Sequence, residues 1–128
     1  MMRVVKPGGH VHIIDTDVPS AAAYSANPAL TRKLMATVAA SIPNPRSGRE
    51  LPFLARKAGL RDLQIDTFMS SFPHEFMLSA MSGALYKAAE AGVVPRAEVD
   101  EWLAEQAALK ASGDFFQMWP LVMVIGTV

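Results

Sequence analysis

The feature that most constrains this chain is the run His10–Asp15 (HVHIID), set directly behind the turn Lys6-Pro7-Gly8-Gly9. Proline fixes φ at the first central position of such a turn, and glycine accepts positive φ at the next. In the run that follows, Val11 and Ile13 point to one side of a strand and Ile14 to the other. A strand that is apolar toward both sides needs cover on both. It belongs inside an α/β sheet.

The rest of the chain supplies helices to cover it. Thr16–Ala26 reads as a loop, and Asn27-Pro28 follows as N-cap and first helical residue. Leu30, Leu34, Val38 and Ile42 form that helix's apolar stripe, and Pro43-Asn44-Pro45 ends it. A second helix spans about Arg49–Ala58, with Pro52 near its first turn, Leu51, Leu54 and Ala55 inward, and Gly59 as the left-handed residue past its end. Leu60–Ser70 then holds a strand on which Leu63, Ile65, Thr67 and Met69 alternate with Gln64, Asp66 and Phe68. Pro73-His74-Glu75 opens a long helix to about Ala91, with Met77, Met81, Leu85 and Ala88 on one face. Pro95 opens another, in which Val99, Trp102, Leu103, Gln106 and Leu109 share a face, and Ser112-Gly113 stops it. Met118–Thr127 is the last strand. Pro120 lacks a ladder N–H and so sits at or just before the start of its regular pairing. The pattern defines an α/β chain, read as one domain over residues 1–128 with a helical insert at about 74–111.

Composition enters as a filter on function. Hydrophobic residues make up 51% of the 128 and charged ones 19%, which gives a packed core rather than disorder. Lys and Arg total 12, as do Asp and Glu, so nothing favours a nucleic-acid partner held through its phosphates. The charges are unevenly spread, nine basic against four acidic in residues 1–64 and three against eight in residues 65–128. The two halves are expected to neutralise each other in the fold. The absence of cysteine removes disulfides, thiolate zinc sites and cysteine nucleophiles together. The longest uncharged runs, Val18–Thr31 and Phe115–Val128, contain prolines and fall short of the roughly 18 residues of a spanning helix. No apolar export core follows the N-terminal turn. No membrane association and a cytoplasmic location are therefore expected.

Two constellations could carry chemistry. His10 and His12 share one side of a strand with Asp15 nearby, a pairing seen in transition-metal sites. Three ligands are normally needed, the only other histidine is His74, and so no metal site is expected. Asp15-Thr16-Asp17 sits where the strand ends, and open α/β sheets bind ligands beyond the carboxyl ends of their strands. The bland alternative makes Asp15 a turn cap and leaves Asp17 solvated. Neither a nucleophile elbow nor a glycine-rich phosphate loop occurs.

The passage Met2-Arg3-Val4-Val5-Lys6-Pro7-Gly8-Gly9-His10-Val11-His12-Ile13-Ile14-Asp15 resembles the R-V-L-K-P-G-G-x-hydrophobic passage of class I S-adenosylmethionine-dependent methyltransferases, in their ubiquinone/menaquinone-biosynthesis-like group. Leu51–Leu60 (LPFLARKAGL) looks like that group's next helix, and Phe115–Gly126 like its closing strand. Pro43–Arg49 (PNPRSGR) also looks like a loop of one bacterial branch. The resemblance implies a partial Rossmann-like fold in three layers. Its sheet would be mixed and three-stranded, in the order 5-7-6 of the family's strands, with the last strand antiparallel and about four helices.

It also implies the substrate side of a small-molecule methyltransferase, truncated to its C-terminal half, because the family's cofactor contacts precede the counterpart of Met1. S-adenosylmethionine is thus the family's cofactor, no cofactor-binding residue transfers, and this chain alone is not expected to bind it or to be active. Asp15, Thr16, Asp17, Asn44 and Arg46 transfer as substrate-side residues, and no catalytic residue is assigned. In the family a strand lies on each side of the counterpart of His10–Asp15. The strand here is thus expected to pair with a second copy or a complementing chain, unless a helix of the chain itself covers Val11 and Ile13. The alternative is a non-catalytic methyltransferase-like module for binding or dimerisation.

Overall fold

The computed structural model describes residues 4–128, so the Met2-Arg3 opening of the family-like passage lies outside the described residues. In chain order the elements are β1 (His10–Thr16), β2 (Ala22–Ala23), α1 (Pro28–Ala40), α2 (Ser47–Lys57), β3 (Arg61–Ser70), α3 (His74–Glu90), α4 (Arg96–Ser112) and β4 (Gln117–Thr127). A single 3-10 turn, Val18–Ser20, follows β1. The residues group into two compact units, one of residues up to Ser20 with 44–70 and 119–128, the other of 21–43 with 71–118. The helical insert read at about 74–111 falls in the second unit.

In the first unit β4 lies between β1 and β3 and is antiparallel to both. His10 pairs with Thr127 and Thr16 with Leu121 on one side, and Gln64 with Ile125 and Ser70 with Trp119 on the other. The expected order of these three strands therefore holds. The sheet is not mixed, however. β1 and β3 run the same way but never touch, so every pairing is antiparallel. It is also four-stranded, because Ala22–Ala23, read as loop, pairs with Met118 and Gln117 in the second unit. Two alanines carry no periodicity from which a strand could be read.

α2 packs on one side of this sheet. Val11, Leu51, Ala55, Leu60 and Val124 form its buried core, with Ile13, Leu63 and Val122 around them. A helix of the chain itself, α2, thus covers Val11 and Ile13. The inward face of α2 is Gly48, Leu51 and Ala55. Leu54, expected inward, is 45% exposed, because one residue step turns it about 100° away from Ala55. Helix and strand are joined by a tight cap. The Gly59 N–H donates to the Arg56 carbonyl at 2.9 Å and the Leu60 N–H to the Ala55 carbonyl at 3.1 Å, which needs the φ of +94° that Gly59 adopts. The other side of the sheet presents Ile14, Leu121, Met123, Ile125 and Phe68, of which Ile14 is 53% and Phe68 42% exposed. Within this unit there are two layers rather than the expected three, since α1, α3 and α4 belong to the second unit.

The second unit is built on helices. Asn27 caps α1 as read, its Oδ1 accepting the Leu30 N–H at 3.1 Å, with Pro28 as the first helical residue. Leu30, Leu34 and Val38 of α1, Met77, Met81 and Leu85 of α3, and Val99, Trp102 and Gln106 of α4 are buried. The indole of Trp102 donates to Thr31 Oγ1 at 2.9 Å, satisfying its one donor inside the core. Among the described residues no helix is long and apolar enough to cross a membrane.

Candidate functional site

The end of β1 and the start of α2 meet in the first unit. The Val18 N–H donates to the Pro45 carbonyl at 2.9 Å, which ties the loop after β1 to the loop before α2. Gly48 lies so close to the Thr16–Asp17 backbone that a Cβ on it would sit 2.8 Å from the Asp17 nitrogen. The two segments singled out in the sequence, Asp15–Asp17 and Asn44–Arg46, are thereby brought together.

Their side chains divide into two sorts. Asp17 is buried and receives Arg49 through both carboxylate oxygens, Nε donating to Oδ1 at 2.6 Å and Nη2 to Oδ2. The Ser20 hydroxyl also donates to Oδ2, and Arg49 Nη2 donates to Ser20 Oγ at 2.9 Å. Arg49 holds the Asp17 carboxyl below its ordinary range, outweighing the burial that pushes the other way, with a further contribution from Ser20. A carboxylate tied up in this way is a poor proton acceptor. Asp17 is therefore neither solvated nor poised as a base but the buried partner of an ion pair whose guanidinium still meets water. Thr16 is likewise engaged, its Oγ1 donating to the Pro120 carbonyl at 2.9 Å. The same carbonyl accepts the Asp17 N–H at 3.1 Å, so Pro120, which cannot donate, serves as a double acceptor within the strand.

Asp15, Asn44 and Arg46 are exposed. Asp15 Oδ1 accepts the N–H of its neighbour Thr16 at 2.8 Å, a contact within β1. Arg46 is 3.7 Å from Glu50 in an exposed pair that contributes little. This trio presents a carboxylate, an amide and a guanidinium at the surface. Arg49, Ser20 and Gly48 were not singled out in the sequence. The available signal was a glycine between two arginines at a helix start, where a missing side chain often marks close backbone approach.

His10 and His12 lie on the opposite side of β1 from Asp15, and among the described residues no three of His, Cys, Asp and Glu gather as a metal-binding group. In the second unit a groove of 790 Å³ runs between α1 and α3, lined by small residues such as Ala36, Ala40, Ala80 and Gly83 together with Lys87. It holds none of the five predicted site residues. A scan of the sequence against family models finds no match, and a search of curated proteins finds none either.

Proposed function

We propose that the chain is the substrate-side portion of an S-adenosylmethionine-dependent methyltransferase acting on a small molecule. The observation that carries this reading is the strand order. A closing strand inserted between two others and antiparallel to both, with α2 packed on the sheet between them, is the arrangement the sequence resemblance implies for residues 10–128. The exposed trio Asp15, Asn44 and Arg46 at the carboxyl end of β1 lies where such a chain would orient its substrate. Asp17 contributes by fixing the loop that follows Asp15.

Calorimetric titration of the purified chain with S-adenosylmethionine and with its demethylated product tests the division of labour. No saturable heat is expected; binding near or below about 100 μM, roughly 5.5 kcal/mol, overturns it. In native extract the tagged chain should draw down a partner that cross-links to labelled cofactor. The second reading, a non-catalytic binding or dimerisation module, draws on β1, whose outer edge has no strand partner among the described residues. A stable homodimer with no cofactor binding would favour it.

A further inference from the structure

We propose that the first turn of α3 is an acid-released clasp: the neutral imidazole of His74 seats the turn against α4 and Phe115, and protonation unseats it. His74 is the first residue of α3, behind Pro73. Its ring meets Phe115 edge-on, with centroids 4.4 Å apart and planes at 78°. Both ring nitrogens are enclosed, and neither has a hydrogen-bond partner of ordinary geometry. A neutral ring tolerates this seat, whereas an imidazolium would carry two donors into it.

The charges around the ring also oppose a proton. From α4 the facing charge is Lys110, which pairs with Glu75 of α3. Glu75 is thus committed to another cation. Asp114, beside Phe115, accepts the Ser112 hydroxyl at 2.7 Å. The position at a helix N-terminus adds the positive end of the backbone dipole. Only the Gln106 main chain of α4 lends the charged form support. Burial first, and Lys110 second, hold the His74 pKa below 6.5.

The sign follows from this arrangement. With the seated ring below 6.5 and the released ring near it, the open turn binds more protons in between. Seating is therefore complete above about pH 6.5 and is lost as pH falls toward the depressed value. In that window the opening constant rises by up to about tenfold per pH unit.

The Met77 amide reads the turn, because it donates to the Pro73 carbonyl at 3.1 Å as the first backbone bond of α3. Its hydrogen-exchange protection, corrected for the intrinsic pH dependence of exchange, should fall between pH 7.5 and 5 in the wild type. His74→Phe keeps an aromatic contact with Phe115 and should flatten that dependence. Lys110→Gln should raise the lower end of the window and so shrink the pH-dependent loss of protection. Should His74→Phe fail to fold, the ring titration is followed by NMR in wild-type protein and in a His10→Gln, His12→Gln background. Protection that does not change with pH, the same pH dependence in His74→Phe, or a His74 titration at or above pH 6.5 would each overturn the proposal.

Discussion

Replacing Gly48 by alanine tests the packing that joins the end of β1 to α2, and two effects oppose each other there. Ala is the better helix residue, worth at most about 1 kcal/mol over glycine in a helix interior. Against this, the new Cβ would lie 2.8 Å from the Asp17 nitrogen, 2.8 Å from the Thr16 carbonyl carbon and 3.0 Å from the Thr16 oxygen. These are backbone atoms, and they have little room to yield. The Asp17 N–H is bonded to the Pro120 carbonyl, and the next residue, Val18, to Pro45. Forcing a methyl into a packed site costs about 1–3 kcal/mol, so the net expectation is a loss of about 1–2 kcal/mol. Gly83 in α3 is the control, because a Cβ there meets nothing within 4 Å. Gly83→Ala should therefore show propensity alone, a gain of about 0.5–1 kcal/mol. The assay is urea unfolding followed by far-UV circular dichroism and tryptophan fluorescence. With a slope of about 2 kcal/mol per molar, the Gly48 variant should unfold about 0.5–1 M earlier. A Gly48→Ala protein as stable as wild type, or more so, would refute the argument that this contact is backbone against backbone.

Asp17→Asn should destabilise the chain at pH 7 by about 1–2 kcal/mol, a figure reduced from that of a fully buried pair because Arg49 remains in partial contact with water. Since Arg49 lowers the Asp17 pKa below 3.8, the ionic contribution is present above 3.8 and is lost as pH falls through the depressed value. The gap in unfolding midpoint between wild type and variant should therefore shrink at acid pH, and an equal gap at pH 7 and pH 2 would count against the ion pair. In the second unit, Leu85→Ala should cost about 2–5 kcal/mol, because Leu85 is fully buried and leaves a cavity. Phe53→Ala, at a side chain 65% exposed, should stay within about 0.5 kcal/mol in the same urea unfolding assay.

The candidate site shows where local reading stops. Asp15-Thr16-Asp17 was legible as the end of a strand, and its neighbourhood to Asn44–Arg46 came only through the resemblance. That Asp17 is buried while Asp15 is exposed could not be read, because the difference is made by Arg49, 32 positions away. Leu54 shows the same limit on a smaller scale. Its spacing from Leu51 suits an inward face, but the sheet against which α2 rests chose Gly48, Leu51 and Ala55 instead.

By itself the sequence determined what depends on a few neighbouring residues: the Asn27-Pro28 start of α1, the Gly59 exit from α2, and the apolar stripes of α1, α3 and α4. These follow from φ preferences, capping bonds and periodicity, all local in the chain. Tertiary structure decided the pairing of Ala22–Ala23, the commitment of Asp17 to Arg49, the enclosure of His74 and the grouping of residues into two units. Each of these rests on contacts between residues distant in sequence, whose energy comes from burial and from pairing the polar groups that burial strands. No window of local sequence contains both partners.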